Sequence, residues 1–334
     1  MKAKISVLLV FFLLIASLVY AKEREGVITF KINLPFKNES KRARLWLPFP
    51  LSDEYQSIDN ITVGGNFNNS AVYREAKSEA TYLFAEWNDI SEKMELTMSF
   101  KVKAKERILK DFKHTKASVP KEVKKYLESS CWVPTDGKIK EIANQITNNK
   151  EGILEKSRAI YNWVVENIYR DPEVRGCGLG IVEKTLAKRG GKCADISSVY
   201  VAIARAAGVP AREVFGLRLG KKSKEDMTNG HHCWAEFYLP GTGWIQVDPA
   251  DVRKAMLVRK LDLKEAEPYR EYFFGAVDEY RIVLKRGGRG INLYPSQDGE
   301  ALNYFMYPYA ELDGRPLDYF DPKNFGYSVE FKAL

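Results

Sequence analysis

Residues 190–212 read GGKCADISSVYVAIARAAGVPAR, and residues 232–249 read HCWAEFYLPGTGWIQVDP. Gly208 and the proline two residues after it predict the end of a helix in the first stretch. The apolar residues of that helix recur on one face, at Ile196, Val199, Tyr200 and Ile203. In the second stretch, two alternating runs flank residues 240–243, whose Pro and Gly predict the turn of a β-hairpin. A helix followed by a hairpin indicates an α+β core.

Cys193 lies on the first turn of this predicted helix, three residues before Ile196 and on the same side. A helix N-terminus carries partial positive charge and unpaired N–H groups, which favour a thiolate and can hold an oxyanion. We therefore predict a lowered pKa for this thiol and a role as nucleophile. Taken alone, the same pattern is also typical of a buried cysteine that only packs.

His232 and Asp248 lie on the two strands of the predicted hairpin. An acid on a neighbouring strand can accept the imidazole N–H and orient the ring. Both residues have even numbers, so they share a face only if the turn has an odd number of residues or a bulge intervenes. Taken alone, His232 could be a loop histidine, and Asp248 with the following proline could simply start a turn. The adjacent His231, His232 and Cys233 are poorly spaced for a metal, and we predict no metal site.

The preceding chain changes its period. Between Gly26 and Lys105 apolar and polar residues alternate, which predicts antiparallel strands, whereas isoleucines at helical spacing follow residue 138. From Tyr280 to Phe331 the pattern predicts strands again. We therefore predict an N-terminal β domain over residues 22–115 and a catalytic domain over 116–334, in which helices pack on an antiparallel sheet and the C-terminal strands follow.

Residues 1–21 have the pattern of a secretory signal peptide: Lys2 and Lys4 start it, an apolar stretch follows, and Ala21 ends a small-residue cleavage site. We expect export to the periplasm or the medium, with no membrane span after cleavage; an uncleaved anchor is the alternative. The 334 residues carry a net charge of +8, which is +6 without the two signal lysines. That charge is too diffuse to predict a nucleic-acid partner.

Four successive motifs of this chain together resemble the transglutaminase-like superfamily. They are GKCAD (191–195), ARAAGVPAR (204–212), HCWAE (232–236) and GWIQVDP (243–249). The looser resemblance extends over residues 130–300. It implies a papain-like core with Cys193 as nucleophile, His232 as general base and acid, and Asp248 as the residue that orients it. His232 is chosen over His231 because His-x-Trp-x-Glu is the family's pattern.

The resemblance also implies the chemistry. Attack of the thiolate on an amide of a protein or peptide gives a thioester, which water hydrolyses or an amine intercepts. The calcium-site carboxylate clusters of animal transglutaminases are not evident in this sequence, so we expect neither calcium nor any other cofactor. A non-catalytic module that binds peptide or cell-wall polymer is the alternative, and the sequence does not indicate an oligomeric state.

Two further cysteines accompany the site. Cys177 lies in a glycine-rich loop ahead of the Cys193 helix, and Cys233 follows His232. Strand alternation predicts that the Cys233 side chain points away from that of His232, so that it does not compete as nucleophile. Because an exported protein can form disulfides, a Cys177–Cys233 bridge that braces the site is a hypothesis.

Overall fold

The computed structural model describes residues 21–35, 40–88, 90, 93–112 and 117–334. The predicted signal segment, apart from Ala21, lies outside the described residues. Within these ranges, no helix is both long and apolar enough to cross a membrane.

The strands are numbered in chain order: β1 Glu23–Leu34, β2 Arg42–Pro48, β3 Gln56–Gly65, β4 Asn69–Arg74, β5 Thr81–Asn88, β6 Met94–Lys105, β7 Arg107–Ile108, β8 Tyr169–Arg170, β9 Gly190–Gly191, β10 Ala211–Arg218, β11 Lys224–Asp226, β12 His231–Leu239, β13 Gly243–Val247, β14 Ala276–Val277, β15 Arg281–Arg286, β16 Tyr309–Leu312, β17 Arg315–Pro316 and β18 Tyr327–Ala333. The helices are α1 Gly137–Thr147, α2 Ile153–Asn167, α3 Val182–Lys188, α4 Cys193–Ala206, α5 Pro249–Arg259, α6 Glu267–Tyr272 and α7 Pro322–Phe325, with a 3-10 helix at Lys121–Leu127.

The period-two pattern of the N-terminal region is confirmed, since the alternating apolar side chains of β1 and β6 all face the core. They are nearly inaccessible to solvent, namely Ile28, Phe30, Ile32 and Leu34 on β1 and Met94, Leu96, Met98, Phe100 and Val102 on β6. The two strands pair antiparallel along their whole length. Alternation with one buried face is what a sheet covered on one side requires.

The C-terminal strands differ from the predicted grouping, which placed them with the catalytic region. β18 pairs with β1, and β16 pairs with β2, so the last strands complete two five-stranded sheets that the N-terminal strands begin. Periodicity identifies strands but not their partners, because pairing depends on contacts between distant parts of the chain. The division at residues 115 and 116 stays a prediction.

A separate four-stranded sheet has the order β13-β12-β10-β15, with α4 packed against β12. Helices α1, α2, α3 and α5 surround α4, and all of its residues except Arg205 are buried. The helix ends where the sequence predicts, since Ala206 is its last residue and Gly208 adopts a positive φ of 81°. The α+β prediction of helices on an antiparallel sheet is confirmed. A helix with no solvent face has little freedom to move, so whatever lies on its first turn is held firmly.

Candidate active site

Cys193 is the first residue of α4, and its side chain is almost fully buried. Asp195 fixes this end of the helix: its carboxylate accepts the backbone N–H of Lys192 at 3.0 Å and that of Gly180 at 2.8 Å. The second bond ties the preceding glycine-rich loop to the helix. Beyond suiting the helix dipole, Asp195 therefore links the two segments that meet at the thiol.

The glycine-rich loop lies directly against the start of α4. The carbonyl oxygen of Cys177 accepts the N–H of Ala194 at 2.8 Å. Gly178 has φ of 85°, and a Cβ at this position would lie 1.9 Å from Asp195 Oδ2. Only glycine allows so close an approach with this backbone conformation. The loop thus places the thiol of Cys177 beside that of Cys193.

Three thiols meet at this point, because the sulfur atoms of Cys177, Cys193 and Cys233 all lie within 4.8 Å of one another. The neighbouring Cys177 and Cys233 thiols hold the pKa of Cys193 well below its usual 9.0; burial opposes this shift, and His232 adds to it. The thiol of Cys177 also donates to the carbonyl oxygen of His231 at 3.2 Å. Burial raises the pKa of Cys177 and of Cys233. Of the three thiols, Cys193 is therefore the one that ionises most readily.

These positions test two expectations about the other cysteines. Cys233, whose side chain is predicted to point away from that of His232, contributes its thiol to the group around Cys193. Its side chain extends from β12 toward α4, which packs against that strand, and sequence alternation alone cannot show which helix residue it meets. Cys177 and Cys233 are both free thiols, so the structure does not contain the bridge of the hypothesis.

The hairpin brings His232 and Asp248 together, with His232 Nε2 at 2.7 Å from Asp248 Oδ2. Leu239 pairs with Gly243, so the turn has three residues, and facing positions of β12 and β13 have numbers of equal parity. The turn thus has the odd number of residues that is required for His232 and Asp248 to share a face. Asp248 also caps α5, since its Oδ1 accepts the N–H of Asp251 at 2.9 Å. One carboxylate therefore serves both the helix and the imidazole.

An ionic network that the sequence did not predict supports this pair. Arg281, on β15 and 1% exposed, donates to Asp248 Oδ2 at 2.6 Å and to Asp251 Oδ2 at 2.9 Å. Arg218 on β10 donates to the other oxygen of Asp251. Burial opposes ionisation of Asp251, but Arg218, His232 and Arg281 hold its pKa well below the usual range. The only feature of the local sequence that could have indicated this network is Asp251, a second aspartate three residues after Asp248 and within the first turn of a helix.

The charge on His232 follows from the same network. Burial and the Arg218 guanidinium disfavour its protonated form, but Asp251 and Asp248 outweigh them and raise its pKa above 6.5. Its neighbour His231 behaves differently, since burial lowers the pKa of His231 to about 4 and leaves it neutral near pH 7. The His231 ring packs on Tyr307, with ring centroids 4.1 Å apart. The hydrogen bond to Asp248 and the raised pKa thus favour His232 over His231 as the base.

Other hairpin residues form the support beneath the site. Trp234 is fully buried, stacks on His232 with centroids 5.9 Å apart and donates its indole N–H to Gln246. Glu236 is buried and paired with Arg212 at 2.7 Å. Burial opposes this charge, but Arg212 and Arg286 bring the pKa of Glu236 to about 2.

Cys193 and His232 line a cavity of about 250 Å³. Its further lining combines basic with aromatic side chains, namely Arg170, Lys192, Arg218 and Lys254 with Tyr307, Tyr319, Phe320 and Tyr327. Its volume accommodates a side chain and the adjacent backbone of a peptide rather than a large cofactor.

Two groups of side chains have ligand atoms that converge as for a metal, the three thiols and the set of His232, Asp248 and Asp251. In the second group, Arg281 and Arg218 already occupy the carboxylates. The first group adjoins the basic lining of the cavity. Positive charge beside both groups opposes a bound cation.

A family model described as the transglutaminase-like superfamily matches residues 140–249. An uncharacterized protein of Haemophilus influenzae is 37% identical over 336 residues, covering 92% of this chain and 90% of its own length. The uncharacterized protein YebA of Bacillus subtilis is 25% identical over 126 residues, which is 34% of this chain and 17% of that protein.

Among solved structures, a candidate cysteine protease from Cytophaga hutchinsonii has a similar fold, with a TM-score of 0.55 at 16% identity. The alignment covers 93% of this chain and 99% of that chain. At this level of identity the similarity concerns the fold alone.

Proposed function

Because the chain belongs to the transglutaminase-like superfamily, we propose that it is a thiol acyl-enzyme that attacks an amide of a protein or peptide. Cys193 is the nucleophile, His232 the general base and acid, and Asp248 the residue that orients the imidazole. The observation that carries the proposal is the thiol of lowered pKa on the first turn of α4, beside a histidine bound to a buried carboxylate. Such a set of residues supports nucleophilic catalysis.

The first half-reaction follows from these positions. The Cys193 thiolate attacks the amide carbonyl, and His232 gives its proton to the departing amine, which leaves a thioester on Cys193. Since Nε2 of His232 faces Asp248, Nδ1 is the nitrogen available to the thiol and the amine. Arg281 acts through Asp248 as a positioning residue, because it holds the oxygen that accepts from His232.

The developing oxyanion needs a hydrogen-bond donor near the thiol. The N–H of Ala194 is already donated to Cys177. Within the described ranges, the N–H of Cys193 has no acceptor, and it lies at the positive end of α4. We assign the oxyanion to this N–H.

The second half-reaction defines the enzyme class. Hydrolysis of the thioester requires only water and a base, and His232 is free to act as that base once the amine has left. Transfer to a lysine amine requires a second binding site for that lysine. We therefore propose a cysteine peptidase or amidase, with transamidation as the competing outcome. The sequence of residues 1–21 supports action outside the cytoplasm.

A glutamine peptide tests the function directly. The protein is incubated with the peptide, with and without a primary amine, and ammonia release and amine incorporation are measured separately. Ammonia release without incorporation supports hydrolysis, and incorporation supports transfer. Loss of both in Cys193→Ala and His232→Ala, with unchanged thermal unfolding, assigns the activity to the proposed residues.

Thiol labelling provides a test that needs no substrate. Cys131 is exposed and free, so it would also react, and a Cys131→Ser background removes its contribution. In that background, we expect stoichiometric labelling of Cys193 by iodoacetamide near neutral pH, slowed strongly by His232→Ala. An inert Cys193 would contradict the enzyme and favour the binding module.

A further inference from the structure

The cavity above Cys193 has a basic wall, which we define as Arg170, Lys192, Arg218 and Lys254. Of the described residues that line this cavity, none is an aspartate or a glutamate. Arg218 is paired with Asp251 at the back of the wall. The other three cations have no ion pair with any described residue, although Asp251 and Cys193 act on Lys254 from nearby. Because no carboxylate lines the cavity, the wall presents an excess of positive charge to whatever enters.

Two of these cations lie in an environment that disfavours them. Repulsion from Arg218, followed by burial, lowers the pKa of Lys254, and Arg170 adds to the effect. Nη1 of Arg170 is buried and has no hydrogen-bond partner among the described residues. A buried donor without an acceptor costs free energy, and no described residue provides the acceptor that would offset this cost for the Arg170 guanidinium.

The cavity lining also contains four aromatic side chains, Tyr307, Tyr319, Phe320 and Tyr327. None of these side chains carries a negative charge that could pair with the cations. Tyr307 stacks on Tyr319 with ring centroids 5.3 Å apart, so part of the lining is a packed aromatic surface. The cavity at Cys193 therefore offers cations for an anion and aromatic rings for an apolar or planar group.

We propose that the acyl donor carries a carboxylate beside the amide that Cys193 attacks, and that Arg170, Lys192 and Lys254 determine this specificity by binding it. The inference rests on the proposed function and names its substrate class, an acidic peptide or amide. Cations that converge on a half-buried cleft attract anions and bind carboxylates through charge-assisted hydrogen bonds. A neutral or basic acyl donor would leave these charges unpaired, or add to them.

The charge of the wall can be measured without any substrate, by alkylating Cys193 with iodoacetate and with iodoacetamide in the Cys131→Ser background. Both reagents react with the same thiolate, so the ratio of their rate constants is independent of the pKa of Cys193 and reports attraction of the negative reagent. We expect Lys254→Gln and Arg170→Gln each to lower the iodoacetate-to-iodoacetamide ratio by about threefold to tenfold.

Matched variants separate charge from structural damage. Lys254→Arg keeps the charge and should retain the ratio. Lys150→Gln removes an exposed lysine that lies between α1 and α2, outside the cavity lining, and should leave the ratio unchanged. Thermal unfolding of every variant shows whether the fold is intact.

Peptides then test the substrate class. Four glutamine peptides are compared by kcat/KM for ammonia release: three blocked at both ends with Glu, Ala or Lys next to the glutamine, and the Ala peptide with a free C-terminal carboxylate. We expect the Glu or the free-carboxylate peptide to exceed the blocked Ala peptide by about tenfold, and the Lys peptide to be poorest. A preference for the Glu peptide would indicate that the site binds a side-chain carboxylate, and a preference for the free-carboxylate peptide would indicate that it binds a terminal one. Lys254→Glu should reduce or reverse the preference, measured as kcat/KM, for the Glu peptide over the Lys peptide.

The outcomes are distinct. If Lys254→Gln and Arg170→Gln leave the alkylation ratio unchanged, or if the wild type prefers the Lys peptide, the carboxylate proposal is overturned. If the ratio responds as expected but no peptide is cleaved, the amide chemistry fails while the anion site stands.

Discussion

Cys193 does not owe its low pKa to the helix N-terminus alone. The largest contributions come from the two neighbouring thiols, and His232 contributes less. Cys177 and Cys233 keep their protons because burial raises their pKa values. A protonated thiol beside a thiolate is a hydrogen-bond donor, so the two cysteines stabilise the charge without competing for it.

Cys177→Ala should therefore make Cys193 less reactive in mildly acidic buffer. One hydrogen bond to a charged group is lost, and the iodoacetamide labelling rate should fall by about threefold to tenfold there, with little change in alkaline buffer where the thiolate forms anyway. The pH profile of labelling in the Cys131→Ser background measures this. Cys177→Ser, which keeps a donor, is the matched control, and an unshifted profile in Cys177→Ala would refute the role of the thiol.

The pH dependence of kcat/KM follows from two shifts of opposite sign. Activity needs a deprotonated Cys193, so it appears as pH rises through a thiol pKa lowered from 9.0. It also needs a protonated His232 for the leaving amine, so it is lost as pH rises through an imidazole pKa raised above 6.5. We expect a bell-shaped profile whose maximum lies between the shifted pKa of Cys193 and the shifted pKa of His232.

Asp251→Asn checks the assignment of the alkaline limb. Asp251 Oδ1 lies 3.7 Å from His232 Nε2, and its charge is one of the two that raise the His232 pKa. Its removal should move the alkaline limb to lower pH and leave the acid limb nearly in place. An alkaline limb that does not move would show that another group controls it.

At the scale of elements, the site depends on how the glycine-rich loop meets the start of α4. Gly178 and Gly208 have nearly the same φ, 85° and 81°, but only Gly178 approaches another residue closely. A Cβ at Gly178 would overlap the Asp195 carboxylate, whereas at Gly208 it meets no atom within 4 Å. The two glycines therefore separate backbone strain from the effect of the contact.

Gly208→Ala should cost about 1–2 kcal/mol of unfolding free energy and leave the reactivity of Cys193 unchanged. Gly178→Ala carries the same strain and also displaces Asp195, so it should destabilise further and slow labelling of Cys193. Chemical denaturation and labelling rates measure both effects. Equal behaviour of the two variants would indicate that the loop contact does not position the thiol.

At the scale of the whole molecule, the two ends of the chain form common sheets. β18 lies between β1 and β11, and its residues Val329 and Phe331 are buried. Tyr327, at the start of the strand, also lines the cavity above Cys193. The C-terminus thus completes both the N-terminal sheet and one wall of the candidate site.

Deletion of residues 327–334 should therefore abolish the stable fold. It uncovers an edge of β1 and removes three buried apolar side chains, which amounts to about 5 kcal/mol or more. Thermal unfolding and size-exclusion chromatography should show aggregation or a large loss of stability. Removal of the exposed Leu334 alone is the control and should be neutral. A deletion variant that unfolds like the wild type would mean that β18 is dispensable.

Local patterns in the sequence located the helices and strands, and together with the family resemblance they identified Cys193, His232 and Asp248 as candidate site residues. Alternation located β1 and β6, helical spacing located α4, and the parity of His232 and Asp248 set a condition that the three-residue turn meets. These features depend on spacings of a few residues along one strand or helix. They could be predicted because a helix or a hairpin places near neighbours in a known geometry.

Only the tertiary structure brought in Arg281, the Cys177 thiol and the basic wall. Arg281 meets Asp248 across 33 positions of sequence, and Arg170 lies beside Lys254 through the packing of separate elements. Sequence alone does not identify such partners, because the contacts arise from the order of strands in a sheet and from helices packed on it. The sequence by itself thus determined which residues could carry the chemistry, and the packing of distant segments decided their charges and surroundings.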